Sequence, residues 1–242
     1  VAGWAAVVVS ATPPAHAASL LVDDFAAPSA PDISVFVALG ERTLRSFDGS
    51  ILGGVRDTFH HVYTNPSNSV AALAVGDGQV SSSSGVGVRT EVLLLWGAFT
   101  RPTGDPSVGG PLLAVDARPY AAFELTFGAA SAMLNINIVL YTSQPLDPAN
   151  PLHYTTVGNN FSPAVPGGPM TVTMPFSGAP NFNFGRVDGV VVEIDRANAN
   201  TGQAWNLDRF SLATAPVPEP GAMAMLLAGL AVVGLLARTR RR

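Results

Sequence analysis

Apolar residues through the middle of this chain recur at every second position. Phe123, Leu125 and Phe127 alternate with Glu124 and Thr126, and Leu134, Ile136, Ile138 and Leu140 alternate with Asn135 and Asn137. Val172, Met174 and Phe176 alternate with Thr171 and Thr173, and Val190, Val192 and Ile194 with Glu193 and Asp195. A strand puts such a series on one face, whereas a helix scatters it around the axis. Further strands are expected over residues 20–25, 33–39, 55–63, 70–75, 89–96 and 204–212. That makes roughly ten to twelve in all, separated by turns drawn from 24 Gly and 20 Pro. The segments 101–111, 144–151 and 159–169, rich in Pro, Gly, Asn and Asp, read as loops. No repeat of 20 to 50 residues is present, which argues against a solenoid or propeller. The expectation is an all-β fold, a two-sheet antiparallel sandwich over residues 18–213.

Both ends of the chain break this pattern. Residues 2–9 are a short apolar run, followed by Pro13-Pro14 and Ala15-His16-Ala17, a small-x-small signal-peptidase site. Residues 1–17 are expected to be a signal peptide cleaved before Ala18. The chain begins at Val1 without a basic leader, so the start of that peptide is expected upstream. At the other end, residues 222–237 are uninterruptedly apolar and close on Arg238, Arg240, Arg241 and Arg242. Sixteen helical residues reach about 24 Å, and snorkelling arginines make up the rest of a roughly 30 Å hydrocarbon layer. The arginines act as a membrane stop and keep the C-terminus cytoplasmic. Residues 214–242 thus form a tail with a single transmembrane helix.

Composition excludes several classes of function. The basic residues number 13 against 17 acidic ones, and four basic and one acidic residue lie in the tail; nine against 16 leaves the rest near −7. No basic stripe is available for nucleic acid. Without cysteine there is no disulfide, thiol catalysis or cysteine-ligated metal.

Directly before the apolar tail stand Val217, Pro218, Glu219, Pro220 and Gly221. Motif, helix and arginine cluster in this order resemble the PEP-CTERM sorting signal of Gram-negative bacteria. The resemblance implies recognition by an exosortase, a membrane cysteine transpeptidase, after signal peptidase has acted. It further implies an inner-membrane intermediate and release to the cell surface or extracellular matrix. The two prolines hold the motif extended, as a protease-like site requires.

A second resemblance rests on Val22-Asp23-Asp24-Phe25 near the start and Trp205 to Leu212 near the end. This pairing resembles jelly-roll carbohydrate-binding and galactose-binding-like domains, whose first and last strands are neighbours. It implies a jelly-roll-like sandwich and a structural calcium near the chain ends, with Asp23, Asp24 and Asp208 as candidate ligands. Arg56 or Arg209 is the alternative neutralising group. Gly53-Gly54-Val55-Arg56-Asp57 is similar to a Gly-Gly-x-Arg-Asp segment of many exported proteins with this tail, to which no role attaches.

Catalytic chemistry finds little support. There is no Gly-x-Ser-x-Gly elbow, and Ser81 to Ser84 read as a strand edge or loop. His60 and His61 are neighbours on a strand and face opposite ways, so they do not chelate one metal; one is expected in the core and one at the surface. Glu193 and Asp195 are expected on a solvent face, and with Asp188 they make a poor glycosidase pair. Trp96, Tyr63, Tyr141 and Tyr154 are candidates for stacking on sugar rings or for core packing. The expectation is a non-enzymatic surface or matrix protein associated with exopolysaccharide. The alternatives are a carbohydrate-binding module for a defined glycan and, behind it, a polysaccharide-acting enzyme.

Overall fold

The computed structural model describes residues 19–30, 33–99, 108–147, 153–155, 159–175, 181–195 and 201–214. Ser19–Thr214 form one compact unit. Its strands are β1 (Ser19–Asp23), β2 (Ser29–Ala30), β3 (Ile33–Phe36), β4 (Gly40–Phe47), β5 (Val55–Thr64), β6 (Ala71–Gly76), β7 (Gln79–Ser84) and β8 (Arg89–Phe99). There follow β9 (Val108–Gly109), β10 (Ala122–Ala130), β11 (Leu134–Tyr141), β12 (His153–Thr155), β13 (Asn159–Phe161), β14 (Gly168–Pro175), β15 (Gly189–Ile194) and β16 (Ala204–Ala213).

Two sheets result, and every pairing between these strands is antiparallel. The smaller has the order β14-β10-β16-β7-β6-β3, with β1 also on β16. The larger has the order β12-β11-β15-β8-β5-β4-β2, with β13 on β11 and β9 on β8. β1 takes the 210–213 end of β16 and β7 the 204–207 end, so first and last strands are neighbours. Among the described residues the fold is an all-β, two-sheet antiparallel sandwich, jelly-roll-like in that its first and last strands are neighbours.

Alternation builds the core. Phe123, Leu125 and Phe127 of β10, Leu94 and Trp96 of β8, Ile136, Ile138 and Leu140 of β11 and Phe210 of β16 are buried in one cluster. The Trp96 and Phe210 rings lie 5.2 Å apart, within the range where aromatic pairs attract. Each large apolar side chain so buried contributes about 1.5–3 kcal/mol. The β6–β7 turn is Asp77-Gly78, with φ of 55° and 79° between the paired Gly76 and Gln79. Positive φ at both central residues is the type I′ geometry whose twist matches the flanking strands.

Three expectations need correction. Ser81 to Ser84 belong to β7, an interior strand between β16 and β6, where small hydroxyl side chains pack without bulk. Two of the three loop segments contain strand: 101–111 holds β9, and 159–169 holds β13 and the first residues of β14; β9 and β13 are too short to show alternation. Glu193 and Asp195 point away from the core but are only 5% exposed. Alternation identifies the side of a strand and does not reveal whether that side is covered, and β15 is central in the larger sheet.

Among the described residues no helix is long and apolar enough to cross a membrane. The signal peptide, the expected span over 222–237 and the sorting residues Val217 to Gly221 lie outside the described residues.

Candidate functional site

The five residues Gly53 to Asp57 are resolved into two devices by the alternation of β5. Gly53 and Gly54 have φ of 78° and 76°, a region L side chains rarely adopt. A side chain at Gly53 would meet Leu113 at 2.5 Å. The turn they make starts β5 so that Arg56 points inward and Asp57 outward.

Arg56 is fully buried. Its Nη1 donates to Asp23 Oδ2 at 2.7 Å, and its Nη2 donates to the Ala27 carbonyl at 2.9 Å and to Ser46 Oγ at 2.7 Å. Its guanidinium carbon lies 5.1 Å from the centre of the Phe25 ring. Asp23 also accepts from Trp96 Nε1 at 2.9 Å and from the Phe25 N–H at 2.7 Å. Burial lowers the Arg56 pKa and the Asp23 carboxylate pulls it back up. A bulge after Leu21 lets consecutive residues, Val22 and Asp23, both face the interior. The carboxylate of Asp23 is therefore bound to a guanidinium of β5. Asp24 accepts from the Ala26 N–H, and Asp208 lies against Gly128. Among the described residues no three His, Cys, Asp or Glu gather as a metal cage.

The outward face of the larger sheet is unusual for a sandwich. Phe59, Leu93, Leu95, Val139, Tyr141 and Val191 form a separate buried apolar cluster there. Along its margin Arg45, His61, Tyr63 and Arg89 are partly accessible and Phe47 is exposed, whereas Asp57, Phe59 and Glu91 are buried beneath them. Arg45 holds Asp57 through two hydrogen bonds of 2.5 and 2.6 Å, and its guanidinium carbon is 5.9 Å from the exposed Phe47 ring. The hydrogen bonds to Asp57 raise the Arg45 pKa. Further along β5, the rings of Phe59 and His61 are 6.1 Å apart and those of His61 and Tyr63 are 4.0 Å apart. Arg89 lies 4.8 Å over Tyr63, whose hydroxyl donates to Glu91. The result is a row of rings flanked by two guanidinium groups and three carboxylates, those of Glu41, Asp57 and Glu91.

Other sequence candidates are placed elsewhere. Trp96 is a core residue and Tyr141 is buried in the outer cluster. The Tyr154 and His153 side chains lie outside the described ones. His60 is buried with Nδ1 3.2 Å from Ser34 Oγ, and burial, with a smaller push from His61, draws its pKa down to about 4. Asp188 accepts from the Ser143 N–H and Oγ and from Arg186, so it staples a loop. Asp195 accepts from the Asn135 N–H at 2.9 Å, and burial raises its pKa to about 6. Phe47, Arg45 and Phe59 escaped sequence reasoning. Their only signal is the odd-numbered phase they share with Asp57, His61 and Tyr63, and strand register is needed to bring β4 beside β5.

A family model described as the PEP-CTERM protein-sorting motif matches residues 216–242. No curated protein matches the chain. Among solved structures, the chain is similar to a family 29 carbohydrate-binding module complexed with mannohexaose, at 10% identity and a TM-score of 0.36 over 76% of this chain and 92% of that one. It is also similar to the family 11 carbohydrate-binding module of a cellulosomal cellulase of Clostridium thermocellum, at 10% identity and a TM-score of 0.36 over 83% of this chain and 97% of that one. A solution structure of CtCBM11 gives 11% identity and a TM-score of 0.37 over the same shares of each chain. The C-terminal tail carries an export and sorting signal, and the sandwich stands on its own strand order and register.

Proposed function

We propose that this is an exosortase-processed, non-enzymatic surface or matrix protein whose sandwich holds exopolysaccharide along the β4–β5 margin of its larger sheet. The observation that carries the reading is the ring row Phe59, His61, Tyr63 with exposed Phe47 beside the Arg45–Asp57 pair. Alternate residues of β5 put the three rings in a line along one side of the strand, with centres 6.1 and 4.0 Å apart. Aromatic faces pack on the apolar face of a pyranose, and fixed charged pairs orient hydroxyl groups. The sorting tail supplies the setting: its family is implied to be cut by an exosortase and delivered outside the inner membrane.

The test is binding of the mature protein to the exopolysaccharide of the producing cell, by co-sedimentation and on a glycan array. Binding that drops at least tenfold in Phe47→Ala and Tyr63→Ala supports the reading. Unchanged binding in both variants overturns the assignment of the margin. Tight selectivity for one glycan on the array favours a dedicated carbohydrate-binding module, and turnover of any polysaccharide would make it an enzyme.

A further inference from the structure

Folded proteins pair nearly all of their buried polar atoms, and one left over inside the core points to a bound water or ion. β5 carries a series of them. Its inward residues Arg56, Thr58 and His60 are each closed to solvent. Arg56 Nε, Thr58 Oγ1 and His60 Nε2 are buried and make no hydrogen bond among the described residues. The other polar atoms of Arg56 and His60 are engaged: the Arg56 Nη atoms bond Asp23, Ala27 and Ser46, and His60 Nδ1 lies 3.2 Å from Ser34 Oγ. Orphaned atoms thus stand at three successive inward positions of one strand. Its own sheet offers Thr58 no side-chain partner, because the residues opposite it on β4 and β8 are Leu44 and Leu94, both buried.

We infer that ordered water occupies the interior beside β5, one molecule bridging Thr58 Oγ1 to His60 Nε2 and a second bridging Thr58 Oγ1 to Arg56 Nε. The spacing suits water. Alternate residues of a strand stand about 6.5–7 Å apart on one face, and two hydrogen bonds through one water span about 5.7 Å. Side chains that lean slightly toward one another close the difference. The chemistry suits it as well: Arg56 Nε can only donate, the Thr58 hydroxyl donates and accepts, and neutral His60 offers either role at Nε2 according to its tautomer. Water meets each of these, whereas a metal cation cannot meet the first. Asp23 already neutralises Arg56, which removes the demand for an anion. A domain of this size ordinarily holds about seven buried waters, so two beside β5 are within its usual complement. The result is a polar file from Ser34 through His60 and Thr58 to Arg56 and Asp23, crossing a core that is otherwise apolar.

The mature protein carries the test. A high-resolution crystal structure is expected to show water within hydrogen-bond distance of both Thr58 Oγ1 and His60 Nε2, and in solution long-lived water should give nuclear Overhauser contacts to the Thr58 methyl group and the His60 ring. Thr58→Val keeps the shape of the side chain and removes the hydroxyl, and its effect has opposite signs in a wet and a dry core. With water in place the variant loses the bridge and melts about 2–4 °C lower. In a dry core it removes an unpaired hydroxyl and melts at the same temperature or higher. A site without water overturns the inference, as does a Thr58→Val protein no less stable than the parent. Density there that anomalous scattering identifies as a halide overturns it too, assigning the site to an anion.

Discussion

Asp23 Oδ2 lies 2.7 Å from Arg56 Nη1, and neither side chain is open to solvent. The pair ties β1, on the smaller sheet, to β5, on the larger, and Trp96 and Ser46 hydrogen-bond to it as well. Removing one member strands the other charge in the core, which ordinarily costs about 3–5 kcal/mol. Asp23→Ala is therefore expected to lower the melting temperature on the order of 10 °C for a domain of this size. Asp23→Asn together with Arg56→Gln removes both charges and should recover part of that loss. Thermal unfolding of the three proteins checks the ordering, and an Asp23→Ala protein as stable as the parent would refute it.

The same pair bears on calcium. Two carboxylates near the chain ends call for a cation, and the guanidinium of Arg56 is that cation for Asp23. Asp24 and Asp208 alone make a thin oxygen set for an ion that takes six to eight ligands. Melting of the mature protein is expected to be unchanged by chelator. A bound ion at a hundred times its dissociation constant would add about 2.7 kcal/mol, so a fall of several degrees in chelator would contradict this.

The sandwich was legible because β10, β11, β14 and β15 alternate over six or more residues, and one face of each is core. The neighbouring ends were implied by the resemblance that Val22 to Phe25 and Trp205 to Leu212 carry, and β1 does pair with β16. What the sequence concealed is register. Arg45 and Asp57 are twelve positions apart, and nothing local says that β4 sets one opposite the other. Nor does alternation distinguish an outward face that meets water from one that is covered, which is why Glu193 and Asp195 were expected to be exposed. The bulge in β1 is equally silent in sequence, yet it turns Asp23 inward toward Arg56.

Processing at both ends would fix the mass of the mature protein. Cleavage after Ala15-His16-Ala17 would start it at Ala18, and cleavage at the sorting motif would end it near Pro220. Intact mass of the protein recovered from the extracellular fraction is expected to match residues 18 to about 220. A recovered chain that still carries Arg238 to Arg242 would show that the tail is not cut.

His60 should make the domain sensitive to mild acid. Its ring is buried beside Ser34 and Phe36, and its pKa of about 4 lies below the 6.5 of an unfolded histidine. The unfolded chain thus binds a proton between those values that the folded chain does not. By linkage the contribution of His60 is whole above about pH 6.5 and declines as pH falls toward 4, by about 3 kcal/mol in total. Asp195 acts in the opposite sense: its folded pKa of about 6 exceeds 3.8, so its carboxyl favours the folded state increasingly as pH falls through that window. The two partly offset, and the parent protein should show a shallow pH profile. His60→Gln keeps a hydrogen-bonding group near Ser34, removes the titration and leaves Asp195 alone. Its melting temperature, measured from pH 8 to pH 4, should therefore rise relative to the parent as pH drops below about 6.5. Parallel profiles for the two proteins would show that His60 does not titrate differently on folding.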